Sequence, residues 1–144
     1  MLFRSNSCTT TLSAIITQPG NALSSVISSQ SDVDCYANST GIVTINGVGG
    51  TSPYLYSSDG VNFDLNNTFN GLSAGNYSIT IKDANGCLAI QGVLIAQPSA
   101  ALTSSVISLT NVDCSGNATG SISVEGSGGT IPYIYSINGI NFVP

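Results

Sequence analysis

The chain has no histidine, no tryptophan and very few charged residues. Only Arg4 and Lys82 are basic, against seven acidic residues, so the net charge is −5 over 144 residues. Binding to nucleic acid or to an anionic membrane surface needs a clustered basic surface, so we expect neither partner. General acid–base catalysis near neutral pH usually relies on histidine or on tuned carboxylates, so we also expect no enzymatic activity and no cofactor.

Long apolar runs are absent as well. The longest, such as residues 92–96, have the length of a strand, whereas a membrane helix requires about 18 or more apolar residues. Residues 1–8 contain no apolar core of signal-peptide length. We therefore expect no membrane insertion within this segment.

What the chain does contain is an internal repeat. The segment GGTSPYLYS at 49–57 returns as GGTIPYIYS at 128–136, a shift of 79 residues (128 − 49). The same shift aligns 8–65 with 87–144, without a gap and with about 25 identities. We predict the C-terminal strand or strands of a truncated repeat at 1–19, one complete repeat at 20–98, and the N-terminal half of a following truncated repeat at 99–144. A chain that begins and ends within a repeat is typical of an excerpt from a longer tandem array.

Short segments of alternating polarity indicate strands. Residues 41–47 alternate apolar and polar side chains, residues 75–83 do the same, and Asp59-Gly60 is a hairpin-turn signal. No segment has the 3.6-residue period of a substantial helix. The sequence therefore predicts an all-β fold made of tandem immunoglobulin-like β-sandwich repeats of about 79 residues. The predicted core residues are Val43, Ile45, Tyr54, Tyr56, Tyr77, Ile79 and Ile81.

The order of motifs in one repeat resembles a known family. The motifs VDC, GGTSPYLYS, LSAGNY and DANGC follow one another between residues 33 and 87, and a Gln-Pro pair closes the repeat. This order resembles the SprB-type repeat of Bacteroidota surface proteins, which is related in style to PKD and other Ig-like modules. The resemblance implies a large adhesin or filament at the cell surface that is exported by the type IX route and is often linked to gliding or attachment.

The tyrosine motif has two interpretations. Tyr54 and Tyr56 share one face of a predicted strand, with Leu55 and Ser57 on the other. Aromatic pairs can form carbohydrate platforms, but inward-facing tyrosines in a sandwich core are the commoner case. If the tyrosines point inward, Leu55 and its counterpart Ile134 point outward and are candidates for an interface with a neighbouring domain or chain.

A few acidic residues are weak candidates for calcium binding. Asp59, Asn62 and Asp64 form the best local group, but their spacing matches no EF-hand. Turn formation explains the same residues, and we favour it over a metal site.

The four cysteines form two equivalent pairs, Cys8 with Cys87 and Cys35 with Cys114. In an exported protein, disulfides are the default. A Cys35–Cys87 bridge would close the complete repeat and leave Cys8 and Cys114 to pair with the absent repeat halves. In a plain Ig topology, however, Cys35 and Cys87 lie at opposite ends, which favours pairing across a joint between repeats. Both possibilities remain open at this point.

Two functions follow from these observations. The first is a structural segment of an extracellular stalk, adhesin or filament whose partners are neighbouring repeats or neighbouring chains. The second is a module that binds surface glycans or proteins through loops at one end of the sandwich. Strand donation between chains, with residues 8–17 completing residues 100–144 of another copy, is a third hypothesis.

Overall fold

The computed structural model describes residues 2–5, 8–18 and 20–144, and it describes side chains over 11–18 and 20–144. Within these residues the protein has only β-strands and turns, and every strand pairing is antiparallel. The predicted all-β class is therefore confirmed. The strands are β1 (Leu2–Ser5), β2 (Cys8–Thr11), β3 (Ser24–Ser31), β4 (Gly41–Val48), β5 (Leu55–Ser57), β6 (Thr68–Leu72), β7 (Gly75–Lys82), β8 (Leu88–Ile95), β9 (Thr103–Thr110) and β10 (Ser121–Ser127).

Strands β3 to β8 form a sandwich of two three-stranded sheets. One sheet has the order β3-β4-β6 and the other β5-β7-β8. Alternate residues of β4, β7 and β8 point between the sheets, because successive side chains of a strand face opposite sides. The buried apolar side chains are Val33, Val43, Ile45, Tyr56, Ile79, Ile81, Val93 and Ile95.

The edges of the two sheets meet where β3 lies beside β8. Ser25 Oγ donates to Gln91 Oε1 at 3.1 Å, and Gln30 Nε2 donates to the Leu94 carbonyl at 2.8 Å. Farther along, Val33 N donates to the carbonyl of Ala96 at 2.9 Å. Because residue numbers rise together on both strands, β3 and β8 run in the same direction.

The sandwich has two poles, defined by where the chain enters and leaves it. At the entry pole, Gly50 N donates to the Asn21 carbonyl at 2.9 Å, and the turn after β7 lies beside Gly50. At the exit pole, Ala37 N donates to Gln97 Oε1 at 2.9 Å, and Gly41 lies against Ile95. Strand β7 runs from the exit pole to the entry pole, and its length separates them by about 23 Å.

The flanking segments form smaller sheets. Strands β1 and β2 pair with each other, and β9 pairs with β10. Strands β9 and β10 lie 79 residues after β3 and β4, and they repeat the register shift of that pair. The three-part division of the chain remains a prediction.

Candidate functional site

The tyrosines of the repeated motif form hydrogen bonds that hold their own strand against β4 and the turn after it. Tyr56 is 7% exposed, and its hydroxyl oxygen accepts a hydrogen bond from Gly47 N at 3.1 Å. Tyr54 is half-buried against the core, and its hydroxyl donates to the Gly49 carbonyl at 2.6 Å. The second copy of the motif repeats both bonds, from Tyr133 to the Gly128 carbonyl and from Gly126 N to the Tyr135 hydroxyl. The motif therefore has the contacts of a structural element.

On the predicted outer face of this motif, the exposure of the side chains differs from the expectation. Ser57, which alternation places outside, is 2% exposed. The reason is a local turn, in which Ser57 Oγ donates to Asp59 Oδ1 at 2.7 Å and accepts from Gly60 N at 2.9 Å. Leu55, a predicted interface residue, is half-buried, whereas its counterpart Ile134 is 57% exposed.

Tyr77 lies at the start of β7 and is half-buried against the core. Its hydroxyl donates to the carbonyl of Ser73, four residues upstream, at 3.0 Å. This bond ties the turn between β6 and β7 to the sandwich, in the manner of a tyrosine corner.

The Asp59 carboxylate, the main calcium candidate, is engaged in a turn. Its Oδ1 accepts from Val61 N and Asn62 N at 2.8 Å each, in addition to the Ser57 hydroxyl, and its Oδ2 accepts from Asn62 Nδ2 at 2.6 Å. The backbone N–H groups of Val61 and Asn62 hold the pKa of Asp59 far below its ordinary value. In the second repeat Asn138 makes the same turn with a neutral amide oxygen, so the turn does not require a charge.

The third calcium candidate, Asp64, accepts a hydrogen bond from Asn66 N at 2.6 Å. Over the residues with described side chains, no group of three or more His, Cys, Asp or Glu residues is placed to hold a metal ion. The Asp59, Asn62 and Asp64 side chains thus have turn partners in this structure.

Asp83, the first residue of the DANGC motif, has a structural role. It is 3% exposed and lies at the entry pole. Its carboxylate accepts from the backbone N–H groups of Cys87, Thr51 and Asn85 at 2.8, 3.0 and 3.0 Å. Burial raises the pKa of Asp83, but the hydrogen bonds outweigh burial and the net shift is downward. The signal in the sequence was the Asp-x-x-Gly-Cys spacing, which provides the turn N–H groups.

A second carboxylate organises the loop at the exit pole. Asp34 Oδ1 accepts from the Thr40 hydroxyl at 2.6 Å and from Cys35 N at 2.7 Å, and both bonds lower the pKa of Asp34. Ala37 in this loop has a positive φ of 64°. Tyr36 next to it is 45% exposed, which makes it an aromatic side chain on a fixed loop.

Cys35 and Cys87 are placed at opposite poles, as the Ig-topology argument expected, so of the two open possibilities the bridge within the repeat does not fit this structure. Cys35 lies in the exit-pole loop and Cys87 in the entry-pole turn, and both are exposed free thiols. A disulfide requires Cα atoms within about 7 Å, whereas the poles are about 23 Å apart. The alternative, pairing across a joint between repeats, remains a prediction. Cys114 is also an exposed free thiol, and the Cys8 side chain lies outside the described residues.

One of three comparisons with known proteins supports the resemblance seen in the sequence. A search of curated proteins and a search of solved structures each found no match. Across the part of the chain that the structure describes, no helix is long and apolar enough to span a membrane. Residues 106–142, which include β10 and the second tyrosine motif, match the family model of the SprB repeat. This match supports the SprB-type repeat predicted from the sequence, and repeats of this kind are typical of cell-surface proteins.

Proposed function

We propose that this chain is a structural segment of an extracellular adhesin, stalk or filament, and that it acts by mechanical display and self-packing. The observation that carries the proposal is the position of the two poles in the complete repeat. The chain enters beside Gly50 and leaves beside Ala37, at the other end of the sandwich. Repeats with this geometry extend a chain with each added unit, which suits a stalk.

The polar residues of the repeat also support a non-enzymatic role. At least one carboxylate oxygen of each of Asp34, Asp59 and Asp83 accepts hydrogen bonds from neighbouring N–H or hydroxyl groups. These carboxylates fix turns, and each turn connects strands of the sandwich. The hydrogen bonds of these three carboxylates therefore serve turns of the sandwich.

Self-packing is supported by an apolar row on the outer face of β8. Leu88, Ile90 and Leu94 alternate along this strand and are 61%, 71% and 61% exposed. With few charges nearby, repulsion between such faces is small. Side-by-side packing of stalks would cover this row.

The test is surface labelling and association of the native protein. Antibodies against residues 20–98 should label intact source cells, and the label should disappear after external protease treatment. Purified protein should self-associate at high concentration, and Ile90→Asp should reduce the association. Labelling only after cell lysis would contradict the extracellular role, and unchanged association of Ile90→Asp would contradict packing through β8.

A second candidate function is adhesion through the exit-pole loop, favoured by exposed Tyr36. An exposed aromatic ring beside the polar side chains of Asn38 and Ser39 is a common way to contact sugars. On a glycan array the protein should then bind, and Tyr36→Ala should remove the binding. The second repeat has Ser115 at this position, so it should not contribute.

A further inference from the structure

Three asparagines of the complete repeat are followed directly by glycine. The pairs are Asn46-Gly47, Asn70-Gly71 and Asn85-Gly86. In such a pair the backbone nitrogen of the glycine can attack the carbonyl carbon of the asparagine side chain, because glycine has no Cβ to crowd the approach. The attack requires a side-chain amide that is free to rotate and a backbone nitrogen that is not held by another acceptor. The three pairs differ in both respects.

The first pair is held by hydrogen bonds on a central strand. Asn46 Oδ1 accepts from Asn67 Nδ2 at 2.8 Å. Gly47 N donates to the Tyr56 hydroxyl at 3.1 Å. Both residues belong to β4, which lies between β3 and β6 in its sheet. Neither the amide nor the nitrogen is free, so we expect Asn46 to be protected from this reaction.

The third pair is held within the turn after β7. Asn85 Nδ2 donates to Thr51 Oγ1 at 2.9 Å, and Asn85 N donates to Asp83 Oδ1 at 3.0 Å. Gly86 N donates to the Asp83 carbonyl at 3.0 Å. The same turn contains the buried Asp83 carboxylate, which fixes its backbone. We therefore expect Asn85 to be protected as well.

Asn70 and Gly71 form a bulge on β6. The register shift between Gly41 and Val43 places both residues opposite Ile42 alone, and a bulge leaves its extra residue outside the ladder of hydrogen bonds. Both residues are exposed, and over the residues with described side chains no hydrogen bond involves the Asn70 amide. Gly71 has a φ of 69°, and a Cβ added to it would meet no atom within 4 Å. This pair therefore has a free amide and open space around its glycine.

We propose that Asn70 is a site of spontaneous deamidation, and that the reaction puts a negative charge on the open edge of β6. Gly71 N forms a bond to Cγ of Asn70, and the bond from Cγ to the side-chain nitrogen breaks. That nitrogen leaves as ammonia and takes up the proton of Gly71 N. Water then opens the cyclic imide at either of its carbonyl carbons, which leaves aspartate or isoaspartate at position 70. The net reaction consumes one water and releases one ammonia.

The new charge lies on an edge that has no neighbouring strand. Strand β6 pairs only with β4 in its sheet, and it contains no charged residue. The Asn66 amide engages both backbone groups of Thr68, because Thr68 N donates to Asn66 Oδ1 at 3.1 Å and Asn66 Nδ2 donates to the Thr68 carbonyl at 3.0 Å. Charged side chains on an edge strand oppose pairing with another chain. Deamidation therefore strengthens the protection of this edge, and it does so independently of the adhesin role.

The test is incubation of the full chain in mildly alkaline buffer, with peptide mapping by tandem mass spectrometry over time. Conversion of an amide to a carboxylate gives the mass change of replacing NH2 by OH. We expect conversion at Asn70 to be at least about tenfold faster than at Asn46 or Asn85, because hydrogen bonds must open before those two can react. In urea the three sites should convert at similar rates, since this protection is lost on unfolding. Ion-exchange chromatography should show the product with one additional negative charge.

A pair of variants separates Asn70 from other exposed asparagines. Asn70→Gln should abolish the early conversion, because the longer side chain would have to close a larger ring. Asn76→Gln is the matched control, since Asn76 is also exposed but is followed by Tyr77, and this variant should convert at Asn70 like the unaltered chain. Equal rates at the three sites in the folded chain, or faster conversion at Asn46 or Asn85, would overturn the proposal. Conversion without the additional charge would overturn the proposed effect on the edge.

Discussion

At the scale of single residues, Gly47 shows how closely the tyrosine motif packs on β4. A Cβ atom added to Gly47 would lie 2.8 Å from Cγ of Tyr54, too close for a relaxed contact. The Tyr54 ring therefore covers the backbone of a strand residue that has no side chain. The second repeat keeps this arrangement with Gly126 and Tyr133.

The first prediction concerns this contact. Gly47→Ala should lower the free energy of unfolding by about 1–3 kcal/mol, because the added methyl group displaces the Tyr54 ring. Gly92→Ala is the control, since a Cβ there meets no atom within 4 Å, and it should be neutral or stabilising by up to about 1 kcal/mol. Urea unfolding followed by tyrosine fluorescence measures both. Equal effects of the two substitutions would contradict the close packing of Tyr54.

The second prediction concerns the positive φ at Ala37. A left-handed conformation costs a non-glycine residue about 1–2 kcal/mol, and the second repeat has Gly116 at this position with φ of 89°. Ala37→Gly should therefore raise the free energy of unfolding by up to about 1 kcal/mol, after the greater freedom of glycine in the unfolded chain is subtracted. Ala89→Gly within β8 is the control and should lower it by about 0.5–1 kcal/mol. A loss of stability in Ala37→Gly would contradict the loop conformation.

At the scale of elements, the side chains on the two faces of the β7–β8 pair differ sharply in exposure. Ile81 on β7 has no exposed surface, whereas Ile90 on β8 is 71% exposed. The two residues lie on neighbouring strands of one sheet, at adjacent register positions. Substituting each of them therefore separates the contribution of inward packing to stability from that of strand propensity.

The third prediction uses this pair. Ile81→Ala should lower the free energy of unfolding by about 2–5 kcal/mol, because it removes buried methyl groups and leaves a cavity. Ile90→Ala should change it by no more than about 0.5 kcal/mol. Chemical denaturation monitored by circular dichroism measures the difference. Similar losses for both variants would show that the outer face of β8 is covered in solution.

Strands with regular alternation could be predicted from the sequence, and the others could not. The pattern of 41–47 and 75–83 anticipated β4 and β7 almost to their ends. Strand β3 was not recognised because a register shift between Ile27 and Ser29 interrupts its period of two. Strand β5 ends at Ser57 because Ser57 begins the Asp59 turn.

The candidate sites depended on distances between elements, which the sequence does not contain. Cysteine spacing alone left the Cys35–Cys87 bridge open, and only the assumed Ig topology placed these two residues at opposite ends. The buried role of Asp83 was missed for a related reason, since one of its donors, Thr51, is 32 residues away. Turn chemistry within a few residues, as at Asp59, was predictable because its partners are adjacent in sequence.

At the scale of the whole molecule, the response to pH follows from the carboxylates. The pKa values of Asp32, Asp34, Asp59, Asp83 and Asp113 are all lowered by hydrogen bonds in the folded state. A lowered pKa contributes stability that is present above the unfolded value, about 3.9 for Asp, and is lost as the pH falls toward the folded value. The chain has no histidine to titrate between pH 5 and 8.

The fourth prediction is therefore that stability is constant near neutral pH and falls steeply in acid. The urea midpoint should stay constant between about pH 5 and pH 7.5 and should fall below about pH 4. Asp59→Asn, which copies Asn138 of the second repeat, should keep the turn and reduce the loss between pH 7 and pH 3. A midpoint that falls between pH 7 and pH 5, or an unchanged acid limb in Asp59→Asn, would contradict this account.

If the complete repeat bears tension, the parallel course of β3 and β8 determines how it responds. A force that pulls residue 21 away from residue 97 acts along both strands and draws them in opposite directions. The hydrogen bonds between these strands are then loaded at the same time and do not open one after another. They join Ser25 to Gln91, Gln30 to Leu94 and Val33 to Ala96. Shear of this kind requires several bonds to break in one event, so the first and last strands of the sandwich act as its mechanical clamp.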